Sequence, residues 1–227
     1  MPSAIITGAS RGLGLALARA LAERGWRLVI DARGAGALEA ARAELAALTD
    51  VTAVAGDVAD DSHRRALVEA AGDRIDALVN NASVLGPSPQ PPLATYPLDV
   101  LDEVYRVNAL APLALIQLAL PRMPDGARIV NVTSDAAVEP YEGWGGYGSS
   151  KAALEQLTAI LAAEHPALAV YAFDPGDMNT ALHQAAFPGE DISDRPPPEE
   201  SVPALLALLE RDLPSGRHRE ADLRATL

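Results

Sequence analysis

The chain of 227 residues contains no cysteine, which excludes disulfide bridges, thiol catalysis and thiolate metal sites. Aromatic residues make up only 4% of it, so Ala, Leu and Val must fill the core; this disfavours an aromatic-rich β-sandwich. Positive charge is scarce: 18 basic residues against 31 acidic ones give −13, a balance unsuited to nucleic acid or anionic membrane surfaces. Lysine is scarcer still, since 17 of those 18 are arginines and Lys151 stands alone. The four histidines (63, 165, 183 and 218) share no ligand spacing, so each reads as a surface residue and no metal is assigned. No basic stretch precedes an apolar run at the N-terminus. The longest apolar segment, 109–120, is short for a bilayer span and carries Pro112. A soluble cytoplasmic protein with a small-molecule partner is expected, without nucleic acid or membrane.

Short apolar runs alternate with helical stripes. Strands are expected at 4–7, 27–30, 51–55, 75–79, 127–132 and 168–173. Between them, Leu13, Leu17 and Leu21 repeat at helical spacing and stop at Gly25. Further helices are expected at 37–48, 62–71, 98–120 (with Pro112 as a kink), 148–164 and 202–210. Asp60 and Asp61 read as the N-cap and first turn of one of these. Strands apolar on both faces and separated by helices predict an α/β fold: a Rossmann-like, doubly wound parallel sheet of about seven strands, helices on both faces, in one domain over 1–227. Proline-rich segments within 84–97 and 177–198 break the rhythm and read as substrate loops at the carboxyl edge of the sheet.

The first strand enters Thr7-Gly8-Ala9-Ser10-Arg11-Gly12-Leu13-Gly14 and then a helix. Gly8 permits a tight turn, Gly12 lets a pyrophosphate approach the helix start, and Gly14 lets the helix pack on the sheet. The spacing is GxxxGxG, and the triphosphatase pattern GxxxxGK[ST] is missing. After the second strand, Arg33 aligns as the reader of a 2′-phosphate, with Arg11 a second cation nearby, whereas Asp31 falls one position early and points elsewhere. NADP(H) is favoured; a one-residue shift would favour NAD(H).

Tyr147 and Lys151 are four apart, so on a helix they share a face. An ammonium beside a phenol favours the phenolate, which predicts a Tyr147 pKa lowered from the free value near 10. Such a phenol serves as general acid for carbonyl reduction or general base for alcohol oxidation. A compact ammonium can reach both the phenol and a cofactor ribose, where the wide fork of arginine cannot. The pair alone is a weak signal. Ser134, thirteen residues earlier and just past a strand, is placed to hydrogen-bond the reacting oxygen.

With these residues in order, the chain resembles the short-chain dehydrogenases/reductases of the single-domain GxxxGxG type, from Thr7 to about Gly216. The resemblance implies that Tyr147 exchanges the proton, that Lys151 binds the nicotinamide ribose, and that Ser134 orients the substrate oxygen. It implies that Asn108 holds a water linking Lys151 to solvent. Asp57 and Val58 would contact the adenine, Asn81 the adenine-side ribose and neighbouring strands, Ala82 the cofactor beside it, and Pro175, Gly176 and Thr180 the nicotinamide end. It also implies a homodimer or homotetramer pairing the helices near 98–120 and 148–164. Two departures stand out: Ser83 follows Asn-Asn-Ala where the family usually has glycine, and the C-terminus lacks Asp-Gly-Gly, which leaves the last strand open. By position, Leu85, Tyr141, Trp144, Met178 and Phe187 are candidate pocket walls. The expected function is interconversion of a carbonyl and an alcohol. The rival reading is a dinucleotide-binding sensor without turnover. A sugar-nucleotide epimerase is disfavoured by the glycine spacing and the short C-terminal part.

Overall fold

In the computed structural model, which describes residues 1–225, seven parallel strands run in the order β3-β2-β1-β4-β5-β6-β7. They are β1 (Ser3–Ile6), β2 (Arg27–Ala32), β3 (Val51–Ala55), β4 (Ala77–Asn80), β5 (Arg128–Val132), β6 (Ala169–Asp174) and β7 (Gly216–Arg219). The chain order reverses between β1 and β4, which opens a crevice at their carboxyl ends. This is the expected Rossmann-like sheet. The last strand, left open by the sequence, pairs in parallel with β6 from Tyr171↔Gly216 to Asp174↔Arg219.

Alternate strand residues divide between two cores, as the pleat requires. Ala4, Ile6, Ala77, Val79, Val130, Val132, Tyr171 and Phe173 face one side, beneath α1 (Gly12–Glu23), α2 (Ala35–Leu45) and α8 (Val202–Glu210). Ile5, Leu78, Ile129 and Val170 face the other, beneath α3 (Asp61–Ala71), α5 (Ala111–Ala119) and α6 (Gly145–Glu164). The stripe Leu13, Leu17 and Leu21 is fully buried, and that burial holds α1 against β1 and β2. Asp60 sits at the N-cap of α3 but makes no side-chain cap bond.

The long helix differs from its expected form. It runs unbroken over Leu98–Arg122 as α4 (Leu98–Tyr105), a π-turn (Arg106–Leu110) and α5. Pro112 has no N–H to give to the carbonyl of Asn108, and its ring crowds that carbonyl, so the helix widens into the π-turn just before it. By length and composition this helix could cross a bilayer, but half of its most apolar stretch is buried in the fold. α6 begins three residues before the expected start. Gly145 and Gly146 are poor helix formers, yet Leu93 and Tyr96 lie so close to them that neither has room for a Cβ. The 84–97 loop thus rests on a glycine-lined helix start, and tertiary contact overrides propensity. The other loop, 177–198, holds the short helix α7 (Ala181–Ala186), which the sequence pattern did not predict.

Candidate active site

The glycine turn leaves β1 at the switch point. Gly8 and Gly12 take φ of +67° and +58°, a left-handed conformation that only glycine adopts cheaply. A Cβ on Gly8 would stand 2.9 Å from Cα of Ala82, and one on Gly14 would stand 2.6 Å from the Gly8 carbonyl. Arg11 occupies the N-cap of α1 without a side-chain cap bond, so the first N–H groups of that helix keep their donor capacity. Thr7 is buried rather than open to a ligand. Its hydroxyl accepts the N–H groups of Asn81 and Ala82 at 3.0 Å each, while the Asn81 amide donates to the carbonyls of Thr7 (2.9 Å) and Gly8 (3.1 Å). Thr7 and Asn81 brace the turn against the end of β4. Leu13 points into the core, which leaves only its backbone for a ligand.

Asp31 is buried. It accepts the Gly8 N–H at 2.7 Å and faces Nε2 of His63 at 2.9 Å. His63 is therefore buried, contrary to its expected surface position, because it neighbours an otherwise isolated buried carboxylate. Arg33 and Arg11 are exposed and, among the described residues, enter no ion pair. The Asp57 carboxylate accepts the Ala59 N–H at 2.8 Å, and Val58 packs with Val107 and Ala111. At the far end, Pro175 is buried and Gly176 is exposed at φ +70°. Thr180 caps α7 through the His183 N–H (3.2 Å), and its methyl would lie 3.7 Å from a Cβ on Gly12. The 177–198 segment thus reaches back to the phosphate turn.

Tyr147 and Lys151 share one face of α6, with Nζ of Lys151 5.5 Å from the centre of the phenol ring. Gly148 lets this face approach the turn Asp135–Ala137 that follows β5, since a Cβ there would collide with the Ala136 carbonyl. Ser134 starts that turn. Its hydroxyl donates to Oδ1 of Asp135 (2.9 Å) and accepts the Ala136 N–H (3.2 Å). The other oxygen of Asp135 accepts the Tyr141 hydroxyl at 2.9 Å. Arg217 of β7 pins the same region, donating to Asp174 (2.7 Å), to Glu155 (3.0 Å) and to the Ser134 carbonyl (3.5 Å). Sequence reading missed Asp135 and Arg217. Asp135 adjoins Ser134 and was there to be noticed; the reach of Arg217 depends on where β7 lies.

The electrostatics reverse one expectation. Burial pushes the Tyr147 phenol up to about 12, with Ser83 opposing and the charges of Asp135 and Asp174 adding to the rise. Burial brings the Lys151 amine down to about 7. Desolvation is the leading cause for both groups. The ammonium is also directed elsewhere: Nζ donates to the Val132 carbonyl at 2.8 Å. Asn108, fully buried in the π-turn, does not approach Lys151 with its side chain. Its amide is engaged by Val84, Ser83 and Ser150.

Four of the five expected pocket walls come together. Leu85 and Trp144 pack with Tyr147 beside Leu182, Ala185 and Ala186 of α7. The ring of Trp144 lies 5.9 Å from Tyr147, 6.0 Å from Phe187 and 6.3 Å from Tyr141. Met178 is the exception and packs on the core under α1 and α8. Nε2 of His183 is buried without a hydrogen-bond partner, so this histidine too departs from its expected surface position. Ser88 donates to the Ala185 carbonyl (2.7 Å) and ties the two loops together above Tyr147.

Residues 2–191 match the family model described as short chain dehydrogenase. A 3-oxoacyl-[acyl-carrier-protein] reductase of rhamnolipid biosynthesis from Pseudomonas aeruginosa is 36% identical over 171 residues, covering 71% of this chain and 66% of that protein. An (S)-benzoin-forming benzil reductase from Saccharomyces cerevisiae is 32% identical over 214 residues, covering 89% and 79%. Among solved structures, a short chain dehydrogenase from Pseudomonas syringae superposes with a TM-score of 0.90 at 28% identity, covering 96% of this chain and 94% of that one. Another from Escherichia coli, complexed with NADPH, gives 0.87 at 25% identity, covering 96% of each chain. On this match and these likenesses, the chain belongs to the short-chain dehydrogenase family, oxidoreductases of the CH–OH/C=O couple.

Proposed function

We propose that this chain is an NADP(H)-dependent reductase of ketones flanked by an aromatic or bulky apolar group, with Tyr147 as proton donor. The observation that carries the reading is the buried Tyr147 phenol, protonated at neutral pH and enclosed by Trp144, Leu85 and α7. The residues fit a dinucleotide. The glycine turn is a cradle that side chains would fill, and α1 begins without a cap. The free Arg33 and Arg11 suit a 2′-phosphate, while the carboxylate of Asp31 is engaged inside the protein. The chemistry a bound nicotinamide supplies is hydride transfer.

The chain's own residues do the rest. In reduction the O–H bond of Tyr147 breaks and its proton goes to the substrate oxygen, leaving a phenolate. When the Lys151 amine carries its proton, its charge favours that phenolate. Ser134 is the second hydroxyl for the substrate oxygen and must turn from Asp135 to donate to it. Trp144 and Phe187 offer ring edges and faces to an aryl substituent. The benzil reductase likeness supports that choice of substrate. Self-association is inferred through Leu98, Leu110 and Ile160, large apolar side chains exposed on α4, the π-turn and α6.

The test follows NADPH consumption with benzil as probe, alongside fluorescence titration of NADPH and NADH. Tyr147→Phe is expected to lower turnover by about 10³-fold and to leave NADPH affinity within about twofold. Wild-type rates in that variant would remove Tyr147 from the proton step. Equal affinity for NADH would remove the preference for NADP(H).

A further inference from the structure

Arg217 stands on β7 opposite Ala172 of β6. From there its guanidinium reaches two of the turns that form the site. Nη2 donates to Oδ2 of Asp174 at 2.7 Å and, over a longer 3.5 Å, to the Ser134 carbonyl. Nε donates to Oε1 of Glu155 at 3.0 Å. Each carboxylate passes the hold on. Oδ1 of Asp174 accepts the Gly176 N–H at 3.1 Å. Oε1 of Glu155 accepts the hydroxyl of Thr133, the residue before Ser134, at 2.7 Å. The Thr133 N–H in turn donates to the Phe173 carbonyl at 2.7 Å. One side chain thus joins the start of the Ser134 turn, the start of the Pro175–Gly176 turn and α6.

The network is sheltered from solvent. The Asp174 side chain is 4% exposed, Glu155 15% and Arg217 26%. Charge pairs with so little water around them are weakly screened. Among the described residues no other basic side chain pairs with either carboxylate. The shape of the cation matters beside its charge. A planar guanidinium holds its donors at fixed angles and binds two acceptors at once, whereas an ammonium is a single point of charge. None of the roles that the resemblance implies falls on Arg217.

We propose that Arg217 is a positioning residue for the carbonyl reduction. It locks the Ser134 turn and the Gly176 turn to each other, and so sets the distance between the hydroxyl that meets the substrate oxygen and the end of the site that receives the nicotinamide. The proposal rests on the function proposed above and on the places given there to Ser134 and the cofactor. Hydride transfer tolerates little error in distance and angle: a misplacement near ~1 Å costs about a hundredfold in rate. Ser134 has to turn its hydroxyl from Asp135 to the substrate. That rotation brings the hydroxyl to one place only if the Ser134 backbone stays still, and Thr133, Glu155 and Arg217 hold it. Gly176 is exposed at φ +70° and has no side chain to anchor its turn. Asp174 anchors the turn through the Gly176 N–H, and Arg217 fixes Asp174.

The experiment compares wild type with Arg217→Met and Arg217→Lys by two readouts at 25 °C. The first is steady-state reduction of benzil by NADPH. Arg217→Met is expected to lose roughly tenfold in kcat, with the KM for NADPH within about threefold, because the glycine turn at the other end is untouched. Arg217→Lys keeps the charge and loses the fork, so it is expected to stay at least about fivefold below wild type. Wild-type kcat in either variant overturns the proposal; in Arg217→Lys it would mean that charge alone matters. The second readout needs no turnover: hydrogen exchange of the free protein, followed by mass spectrometry of peptides containing Ala136 and Gly176. Both peptides are expected to exchange faster in both variants, while peptides from β1 and β4 exchange as in wild type. Unchanged exchange at Ala136 and Gly176 overturns the proposal, and so does faster exchange throughout the sheet, which would mean lost stability in place of lost position. If Arg217→Met does not fold, Thr133→Val takes its place, with Thr133→Ser expected to restore wild-type exchange at Ala136 and wild-type kcat. Failure of wild type to reduce benzil counts against the proposed function, while hydrogen exchange still decides whether Arg217 holds the two turns.

Discussion

The two ends of the crevice are built on opposite terms. At the nucleotide end, polar side chains satisfy one another: Thr7 with Asn81 and Ala82, Asp31 with Gly8 and His63. At the substrate end Ser134, Asp135 and Tyr141 are joined in the same way, but several other polar atoms are not. Of the five buried side-chain polar atoms without a hydrogen-bond partner among the described residues, four lie in the two proline-rich loops: Gln90 Oε1, Tyr96 OH, His183 Nε2 and Arg195 Nε, the last in an ion pair with Asp177 at 3.4 Å. An unpaired buried polar group costs stability, so this is where the fold tolerates that cost. A turn that grips the same phosphate group in every turnover gains from rigidity. Loops that shape a substrate pocket carry groups a ligand can engage.

The contrast makes a strong prediction for removing one polar group at each end. Asp31→Ala leaves the Gly8 N–H and His63 without a partner in the interior. It should lower unfolding stability by about 3 kcal/mol, read from urea denaturation. Retained stability would show that the nucleotide end does not depend on this pairing. Between the two ends sits Lys151. The unfolded chain protonates it below its ordinary 10.5, the folded chain only below about 7. Across that window the unfolded state binds the extra proton, so stability rises with pH. Lys151→Met should remove the slope and be more stable than wild type by about 2–4 kcal/mol at pH 7, with the gap closing towards pH 10. Parallel urea curves of both proteins at pH 7 and 9.5 measure it; a gap independent of pH would mean that burial does not depress this amine. The smallest effect belongs to the substrate end. Tyr96→Phe deletes a buried hydroxyl that has no partner, so it should gain about 1 kcal/mol, seen as a raised Tm. A loss instead would reveal a partner for that hydroxyl.

Much of this was legible in the residues. Leu13, Leu17 and Leu21 announced α1, and the strand runs announced six of seven strands, because burial imposes period on apolar residues. β7, Gly-Arg-His-Arg, has no apolar pattern to announce it and is defined by its pairing to β6. Helix α7 is too short and too mixed to show a stripe. The argument for a lowered Tyr147 pKa failed because it weighed the charge four residues away and not the burial of both groups.

The sequence by itself determined the order of strands and helices, the glycine turn and the placing of Tyr147 beside Lys151 on one helix face. These depend on local spacing, which the chain carries everywhere. Only the tertiary structure decided which way the buried charges shift, that Met178 leaves the pocket, and that Ser83, Asn108 and Ser150 form one chain of hydrogen bonds. Such outcomes depend on solvent exclusion and on contacts between residues 25 or more positions apart, and neither is written in spacing.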